Sequence, residues 1–462
     1  MRLFAVIFAW TISAAEDASR AAMAVEVPAD GIPPGSIAIN LPAKGDPAGV
    51  RKWLAERGVI YGAIYHGEVF GNASGGIRRG AVFEGRLEAY VNVELEKLVG
   101  WKGLTFFSNA FQLHGTGGLR RDNLLNLITI SNIEALPSTR LGEIWLEQTF
   151  FNDKLSVRFG QLAADAEFFI SYPSGLFINS GWPTITAANL PSGGPVFPFA
   201  TPGIRLKADP TKDQSFLVGL FNGDPAGPGP ENPELKNRYG LNFRVNDPPL
   251  LMAEAQYRYN QDKLATGLAG TIKLGGWYHF DRFDDQRFGT DGLSVADPAS
   301  NGIPHRLRGT SGVYGIIDQQ IYRPPGGDAE SGVTVFARAA GSPSDRNLID
   351  FYFDSGVTFS GMIPSRPDDK FGASFIYAGI SRDARALDRD LVVFTGLPHP
   401  IRNYEMAFEL TYMAQIVPGW TVQPDFQYIV NPGGNVPNPN DPTGLSPIKS
   451  AAIFGLRTTV RY

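Results

Sequence analysis

Residues 83–95 have the sequence FEGRLEAYVNVEL, and their alternation decides the fold class. The odd-numbered positions carry no polar side chain. The even-numbered positions are mostly charged, and they are Glu84, Arg86, Glu88, Tyr90, Asn92 and Glu94. Successive side chains of a β-strand point to opposite faces, so the stretch predicts a strand with one apolar and one charged face. At ~3.3 Å per residue it reaches across the ~25 Å apolar band of a tilted membrane barrel.

The composition narrows the class of protein. The chain has 462 residues, of which 43% are hydrophobic, and it has no cysteine. No linker or charge run divides it and glycine-rich turns recur, so we expect one large all-β domain rather than several soluble domains. No internal run of about eighteen apolar residues exists, which excludes transmembrane helices. A net charge of −5 without basic clusters argues against a nucleic-acid partner, and the lack of cysteine excludes disulfides and thiolate chemistry.

The first residues have the pattern of an export signal. A single positive charge precedes an apolar run over residues 3–12, and small residues follow it. This pattern predicts a secretory signal peptide over residues 1–24, with cleavage after Ala15 or Ala24.

A short lead separates the signal from the strands. Residues 25–57 are expected to form a periplasmic lead rich in proline and glycine that ends in a short helix over 47–57. Asp46 and Pro47 supply the start of that helix, as an N-cap and a proline at the first helical position. We assign residues 58–462 to a transmembrane β-barrel.

Seventeen runs within the barrel region have strand patterns. A bacterial barrel with both ends on the periplasmic side needs an even number of strands. We therefore expect sixteen, with the surplus between residues 201 and 282, where one run is a loop or Asp247-Pro248-Pro249 breaks one strand into two runs. The runs are 58–71, 80–97, 103–114, 139–151, 154–163, 201–208, 214–222, 237–246, 250–260, 268–282, 310–322, 331–342, 349–361, 370–382, 402–416, 419–430 and 447–462.

Six connections between these runs are long and are expected to be extracellular or folded inward. They cover residues 115–138, 164–200, 223–236, 283–309, 383–401 and 431–446. The longest of them contains five aromatic side chains among proline and glycine, namely Phe168, Phe169, Tyr172, Phe177 and Trp182. Because such a loop is unsuited to free exposure in water, we expect it to dip into the lumen and narrow it.

The distribution of charge favours lipid on the outside of the barrel. Most of the predicted strands have one charged face and one face of phenylalanine, tyrosine, leucine and valine. Burial of one such apolar side chain stabilises a protein by roughly 1.5–3 kcal/mol, so these faces must contact protein or lipid. No helices are predicted that could cover these faces, and sixteen closed strands leave an aqueous lumen. The chain also ends in a strand whose last residue is the aromatic Tyr462, as outer-membrane proteins do.

Several stretches resemble the carbohydrate-selective porin family, often called the OprB family, of Gram-negative outer membranes. The most specific is VPGWTVQPDFQYIVNPGGN at residues 417–435, and the others are VRFGQ at 157–161, LGGWY at 274–278, GIIDQ at 315–319 and RPDD at 366–369. The resemblance implies a sixteen-stranded barrel that passes monosaccharides passively through the outer-membrane lipid. Whether the barrels form a homotrimer stays open.

Sugar selectivity requires hydrogen-bonding groups of both charge signs and an aromatic face in a narrow ring, because a ring of one sign selects ions. Strand parity and the long loop supply eleven candidates for this constriction, namely Glu84, Arg86, Glu88, Glu143, Trp145, Glu147, Arg158, Tyr172, Trp182, Asp425 and Gln427. The alternative is that most of them only wet the wall and pair with one another, and that Trp145 packs beneath the inward loop.

Catalysis finds little support in the sequence. The five histidines are isolated, and neither an H-E-x-x-H nor a G-x-S-x-G motif is present. We expect no cofactor and no metal site, since the oxygen-rich residues 431–440 fit an exposed turn better than a calcium site. Two alternatives to a sugar porin stay open: a channel for acidic sugars, aromatics or peptides, and an outer-membrane enzyme built on a barrel.

Overall fold

The computed structural model describes residues 29–262 and 265–462, so the predicted signal peptide lies outside the described residues. Within these ranges sixteen antiparallel strands close into one barrel, each paired with its sequence neighbours, and β1 pairs with β16. The strands are β1 (Val59–Asn72), β2 (Gly80–Glu94), β3 (Leu104–Gly115), β4 (Ser138–Phe150), β5 (Leu155–Leu162), β6 (Thr201–Thr211), β7 (Gln214–Asn222), β8 (Pro249–Tyr259), β9 (Gly270–Gly289), β10 (Pro304–Tyr322), β11 (Gly332–Gly341), β12 (Ile349–Ser360), β13 (Lys370–Ile380), β14 (Tyr404–Val417), β15 (Trp420–Val430) and β16 (Ala451–Arg461).

The helices are short and lie in the connections. They are α1 (Val50–Ala55), α2 (Leu95–Val99), α3 (Thr184–Asn189), α4 (Pro233–Lys236), α5 (Arg382–Thr395) and the irregular α6 (Pro432–Asn435). Single 3-10 turns occupy Ile37–Asn40, Pro42–Gly45, Ala164–Ala166, Pro173–Leu176 and Pro191–Gly193, and a π-helical turn occupies Arg120–Leu124. Among the described residues no helix is long and apolar enough to cross a membrane.

The predicted faces of the strands are confirmed. On β2, Arg86 and Glu88 are buried inside the barrel, whereas Leu87 between them is exposed on the outer surface. On β16, Arg457 is buried and the neighbouring Leu456 is exposed. The apolar side chains therefore face outward and the charged ones face the lumen, as lipid outside and water inside require.

The predicted number of sixteen strands is also confirmed. The surplus run is residues 237–246. This segment belongs to the connection between β7 and β8 and does not form a strand. Its alternation of apolar and polar residues nevertheless resembles that of a strand.

Two of the expected loops contain regular structure. β9 ends at Gly289 and β10 begins at Pro304, so the loop expected over residues 283–309 covers only residues 290–303. The expected loop over 383–401 contains helix α5, whose N-terminus is capped by Ser381 through Ala384 N at 3.3 Å. Beyond the membrane both faces of a strand meet water, so no apolar stripe marks the extended hairpin.

The N-terminal lead packs against the seam where the barrel closes. The expected helix over 47–57 is shorter and begins at Val50, with Gly49 rather than Asp46 at the N-cap position. The Asp46 carboxylate instead accepts hydrogen bonds from the first turn of the helix, from Arg51 N at 3.0 Å and Lys52 N at 3.1 Å. The buried Arg51 guanidinium lies between the rings of Tyr61 on β1 and the C-terminal Tyr462, with Cζ 4.5 and 4.6 Å from the two ring centroids.

Candidate functional site

Two connections fold into the lumen, and the wall fixes the path of each. In the second of them, residues 163–200, the backbone is held by inward-facing side chains of the strands. Phe169 N donates to Glu254 on β8 at 2.9 Å, and Lys273 Nζ on β9 donates to Ile170 O at 2.7 Å. Further on, Ile178 N donates to Glu409 on β14 at 2.6 Å. The prediction that this aromatic loop dips into the lumen is confirmed.

The first inward loop covers residues 116–137. The sequence predicted only that this connection is either extracellular or folded inward, and the structure places it in the lumen. Ile128 N donates to Glu405 on β14 at 2.6 Å, and Gln427 Nε2 on β15 donates to Ile130 O at 2.9 Å. The two loops meet where Asn132 N donates to Ile178 O at 3.0 Å. They therefore constrict the lumen together.

Four charged side chains close a ring between the wall and the second inward loop. Arg158 on β5 contacts Glu147 on β4 at 2.6 Å and Glu167 of the loop at 2.7 Å. Arg205 on β6 contacts the same two carboxylates at 2.9 and 2.8 Å. The Arg158 guanidinium also stacks on Trp145, with Cζ 3.9 Å from the ring. We call Glu147, Arg158, Glu167 and Arg205 the charged ring; such charge-assisted contacts hold the start of the loop against the wall.

A cavity of about 290 Å³ remains between the two loops. Its charged lining, within the described residues, consists of three arginines and three carboxylates, namely Arg86, Arg120, Arg338, Glu134, Asp165 and Glu234. Its aromatic lining includes Phe168, Phe169, Trp182, Phe197 and Phe199. Trp182 is 8% exposed, and its buried indole Nε1 has no hydrogen-bond partner within the protein.

The carboxylate of Glu134 lies in a special environment. It accepts hydrogen bonds from the backbone N–H groups of Arg120 and Arg121 at 3.0 and 3.1 Å. Burial raises the pKa of Glu134 above its usual range, although the Arg120 guanidinium and these hydrogen bonds oppose the rise. The charge of this side chain therefore changes at a higher pH than that of an ordinary carboxyl group.

The family model for the carbohydrate-selective porin, OprB family, matches residues 78–462 of this chain. The chain belongs to that family. Porin B of Pseudomonas aeruginosa is 26% identical over 409 residues, which cover 84% of this porin and 87% of Porin B. A putative porin, QuiX, of Acinetobacter baylyi is 21% identical over 440 residues, which cover 90% of this porin and 92% of QuiX.

The fold of the porin is similar to that of a solved structure from the same family. The high-pH structure of Pseudomonas putida OprB superposes with a TM-score of 0.76 at 22% identity and covers 91% of this porin and 98% of that chain. The low-pH structure of the same protein gives a TM-score of 0.51 at 18% identity. The protein is thus an outer-membrane sugar porin, a transporter rather than an enzyme.

The eleven sequence-predicted site residues occupy different parts of the porin. Arg86 and Trp182 line the large cavity, and Arg86, Glu88 and Glu143 line an adjoining cavity of about 40 Å³. Trp145, Glu147 and Arg158 lie beneath the second inward loop in or next to the charged ring. Their roles in selectivity stay predictions.

The remaining four of these residues line neither cavity. Glu84 is buried in the wall, and its Oε1 has no hydrogen-bond partner there. Gln427 Nε2 bonds to Asp425 at 3.0 Å as well as to the first inward loop. Tyr172 is 62% exposed, and its ring centroid lies 4.5 Å from Lys273 Nζ.

Sequence reasoning missed most of the charged lining of the large cavity. Arg120, Glu134, Asp165 and Glu234 lie in connections, where no two-residue period assigns a side chain to a face. Arg205 on β6 is different, since strand parity would have placed it inward. It lies directly opposite Arg158 in the β5–β6 register, a like-charged pair that requires bridging carboxylates.

Proposed function

We propose that this porin passes monosaccharides such as glucose down their concentration gradient through the cavity between the two inward loops. The observation that carries the proposal is the mixed lining, with three arginines and three carboxylates beside Trp182 and Phe197. A neutral sugar offers hydroxyl groups that donate and accept, so it interacts with both charge signs, and its ring face lies against an aromatic ring. A lining of one sign would instead favour ions of the other.

The size of the cavity supports a single sugar ring as the solute. Its volume of about 290 Å³ is at the lower end of the ~300–1,000 Å³ range of small-molecule sites. A monosaccharide fits such a volume better than an oligosaccharide does. The contacts must also be weak enough to release the solute on the far side.

Liposome swelling with sugars of increasing size tests this proposal. We expect fast swelling in glucose and other monosaccharides, and a steep fall between monosaccharides and disaccharides. Equal rates for monosaccharides and trisaccharides would contradict the proposal. Liposomes without protein provide the baseline.

A second candidate is a channel for acidic sugars. The raised pKa of Glu134 favours it, because protonation of this group leaves three arginines and two carboxylates in the lining. The zero-current potential across a planar bilayer in a gradient of sodium gluconate separates the candidates. A sugar porin shows little preference for gluconate, whereas an acidic-sugar channel shows a clear one.

We also propose that the protein has no catalytic activity and that residues 1–24 are removed on export. The isolated histidines and the family membership support the first statement, and the apolar run after the initial charge supports the second. Assays of the purified protein on phospholipid and peptide substrates should show no turnover. The mass of the mature protein should place the cleavage after Ala15 or Ala24.

A further inference from the structure

The barrel wall is low at the point where the chain turns into the lumen. β5 has only 8 residues and β7 only 9. At ~3.3 Å per residue and a tilt of ~45°, β5 rises roughly 19 Å, which is less than the ~25 Å apolar band of such barrels. The chain leaves β5 after Leu162 to form the second inward loop, so no strand continues the wall above it.

Residues 237–246, the surplus strand-like run, lie at this gap. The last pair between β4 and β5 is Ile144 with Gln161, and the edge of β4 beyond it has no strand partner on that side. There Leu141 N donates to Tyr239 O at 3.0 Å, and Gln161 Nε2 donates to Gly240 O at 3.3 Å. The segment thus continues the hydrogen bonding of β4 above the end of β5.

The segment presents large apolar side chains to its surroundings. Tyr239, Leu241, Phe243 and Val245 are between 51 and 70% exposed. The polar side chains between them are tied back, since Asn242 Nδ2 donates to Lys236 O at 3.0 Å and Arg244 pairs with Asp247 at 2.6 Å. A contiguous apolar patch of this kind requires an apolar partner.

We propose that residues 237–246 form a lipid-facing patch that completes the barrel wall above β5, with the acyl chains of the bilayer as the partner. The patch continues the outer surface of the neighbouring short strands, where Phe159, Ile204 and Leu220 are exposed in the same way. A segment with one side toward lipid has the alternation of a strand without being one. This explains why the sequence pattern of residues 237–246 is that of a seventeenth strand.

Site-directed spin labelling tests the proposal, and the absence of native cysteine makes single-site labelling direct. Leu241→Cys and Val245→Cys are labelled with a nitroxide in phosphatidylcholine vesicles, and the accessibility to oxygen and to a water-soluble nickel chelate is measured. Leu87→Cys on the outer face of β2 is the lipid control, and Asn301→Cys in the outer loop is the water control. We expect an oxygen-to-nickel ratio several-fold above that at residue 301 and close to that at residue 87.

Two results would overturn the proposal. High nickel accessibility at residues 241 and 245 would make the patch a water-exposed loop, and low accessibility to both reagents would mean that a second copy of the chain covers it. If the labelled variants lack β-sheet circular dichroism, Phe243→Trp in vesicles of brominated phosphatidylcholine provides the measurement. Its added fluorescence should be quenched several-fold relative to unbrominated vesicles, and absence of quenching would contradict lipid contact.

Discussion

Two groups of charged side chains face the inside of this porin, and they differ in what they meet. In the charged ring, each of two guanidinium groups contacts both of two carboxylates, and all four side chains are largely buried. In the cavity lining, charges of both signs surround an open space beside Trp182. An inward-facing charge on a strand is therefore not by itself a pore residue. The saturated charges of the ring position the loop, and so does Arg338 of the lining, which pairs with Asp354 and donates to Phe169 O at 3.2 Å. The exposed lining charges, such as Arg120, are the ones that meet the solute.

The largest expected effect is a loss of folding stability when the charged ring, but not the cavity lining, is altered. Arg158→Ala removes half of the positive charge of the ring, and breaking a buried ion pair typically costs about 3–5 kcal/mol. We expect a decrease of that size in the free energy of unfolding, measured by urea titration in detergent micelles. Arg120→Ala, an exposed side chain of the cavity lining, should cost much less, so equal losses in the two variants would contradict the distinction.

Trp145 and Trp182 are both buried, and they offer a matched pair for size selectivity. Trp182→Ala enlarges the cavity, so we expect disaccharide swelling to increase several-fold relative to glucose swelling. Trp145→Ala removes the ring beneath Arg158 and should lower stability with little change in that ratio. A reversed outcome, with selectivity lost at Trp145, would place the size filter beneath the loop.

A smaller effect is expected on ion preference. Arg86→Gln leaves two arginines and three carboxylates in the cavity lining. The zero-current potential in a potassium chloride gradient should therefore shift in the direction that indicates a higher preference for cations. Glucose swelling should decrease up to several-fold, because the charged guanidinium donors to sugar hydroxyls are replaced by one neutral amide. Arg57→Gln, on the exposed N-terminal lead, is the charge-matched control and should leave both readings unchanged.

The smallest effect is a dependence on pH. Because the pKa of Glu134 is raised, lowering the pH removes its negative charge earlier than that of an ordinary carboxyl group. Anion preference should therefore increase as the pH falls toward and through that raised pKa. In Glu134→Gln this component should be absent, and its persistence would assign the pH dependence to another group.

The strand faces and the strand number could be predicted from the sequence, because lipid outside and water inside impose a two-residue period on every strand. That period placed Arg86 and Arg158 on the lumen side but could not distinguish their roles. The distinction depends on Arg205 across the β5–β6 register and on Glu167 from a loop. The segment 237–246 was misleading for the converse reason, since it has the strand period without the strand pairing.

The loop residues of the site were beyond sequence reasoning. Glu134 and Asp165 reach the cavity because Glu405, Glu254 and other wall side chains hold the loop backbones. These contacts join residues far apart in the chain, and no local sequence pattern predicts them.

Ion current through single channels in a planar bilayer, with glucose added at millimolar concentration, tests the central claim most directly. If the mixed-sign cavity takes neutral sugars, glucose should reduce the current in a saturable manner, and gluconate or arginine should have little effect. A current that responds to either charged solute and not to glucose would contradict the account.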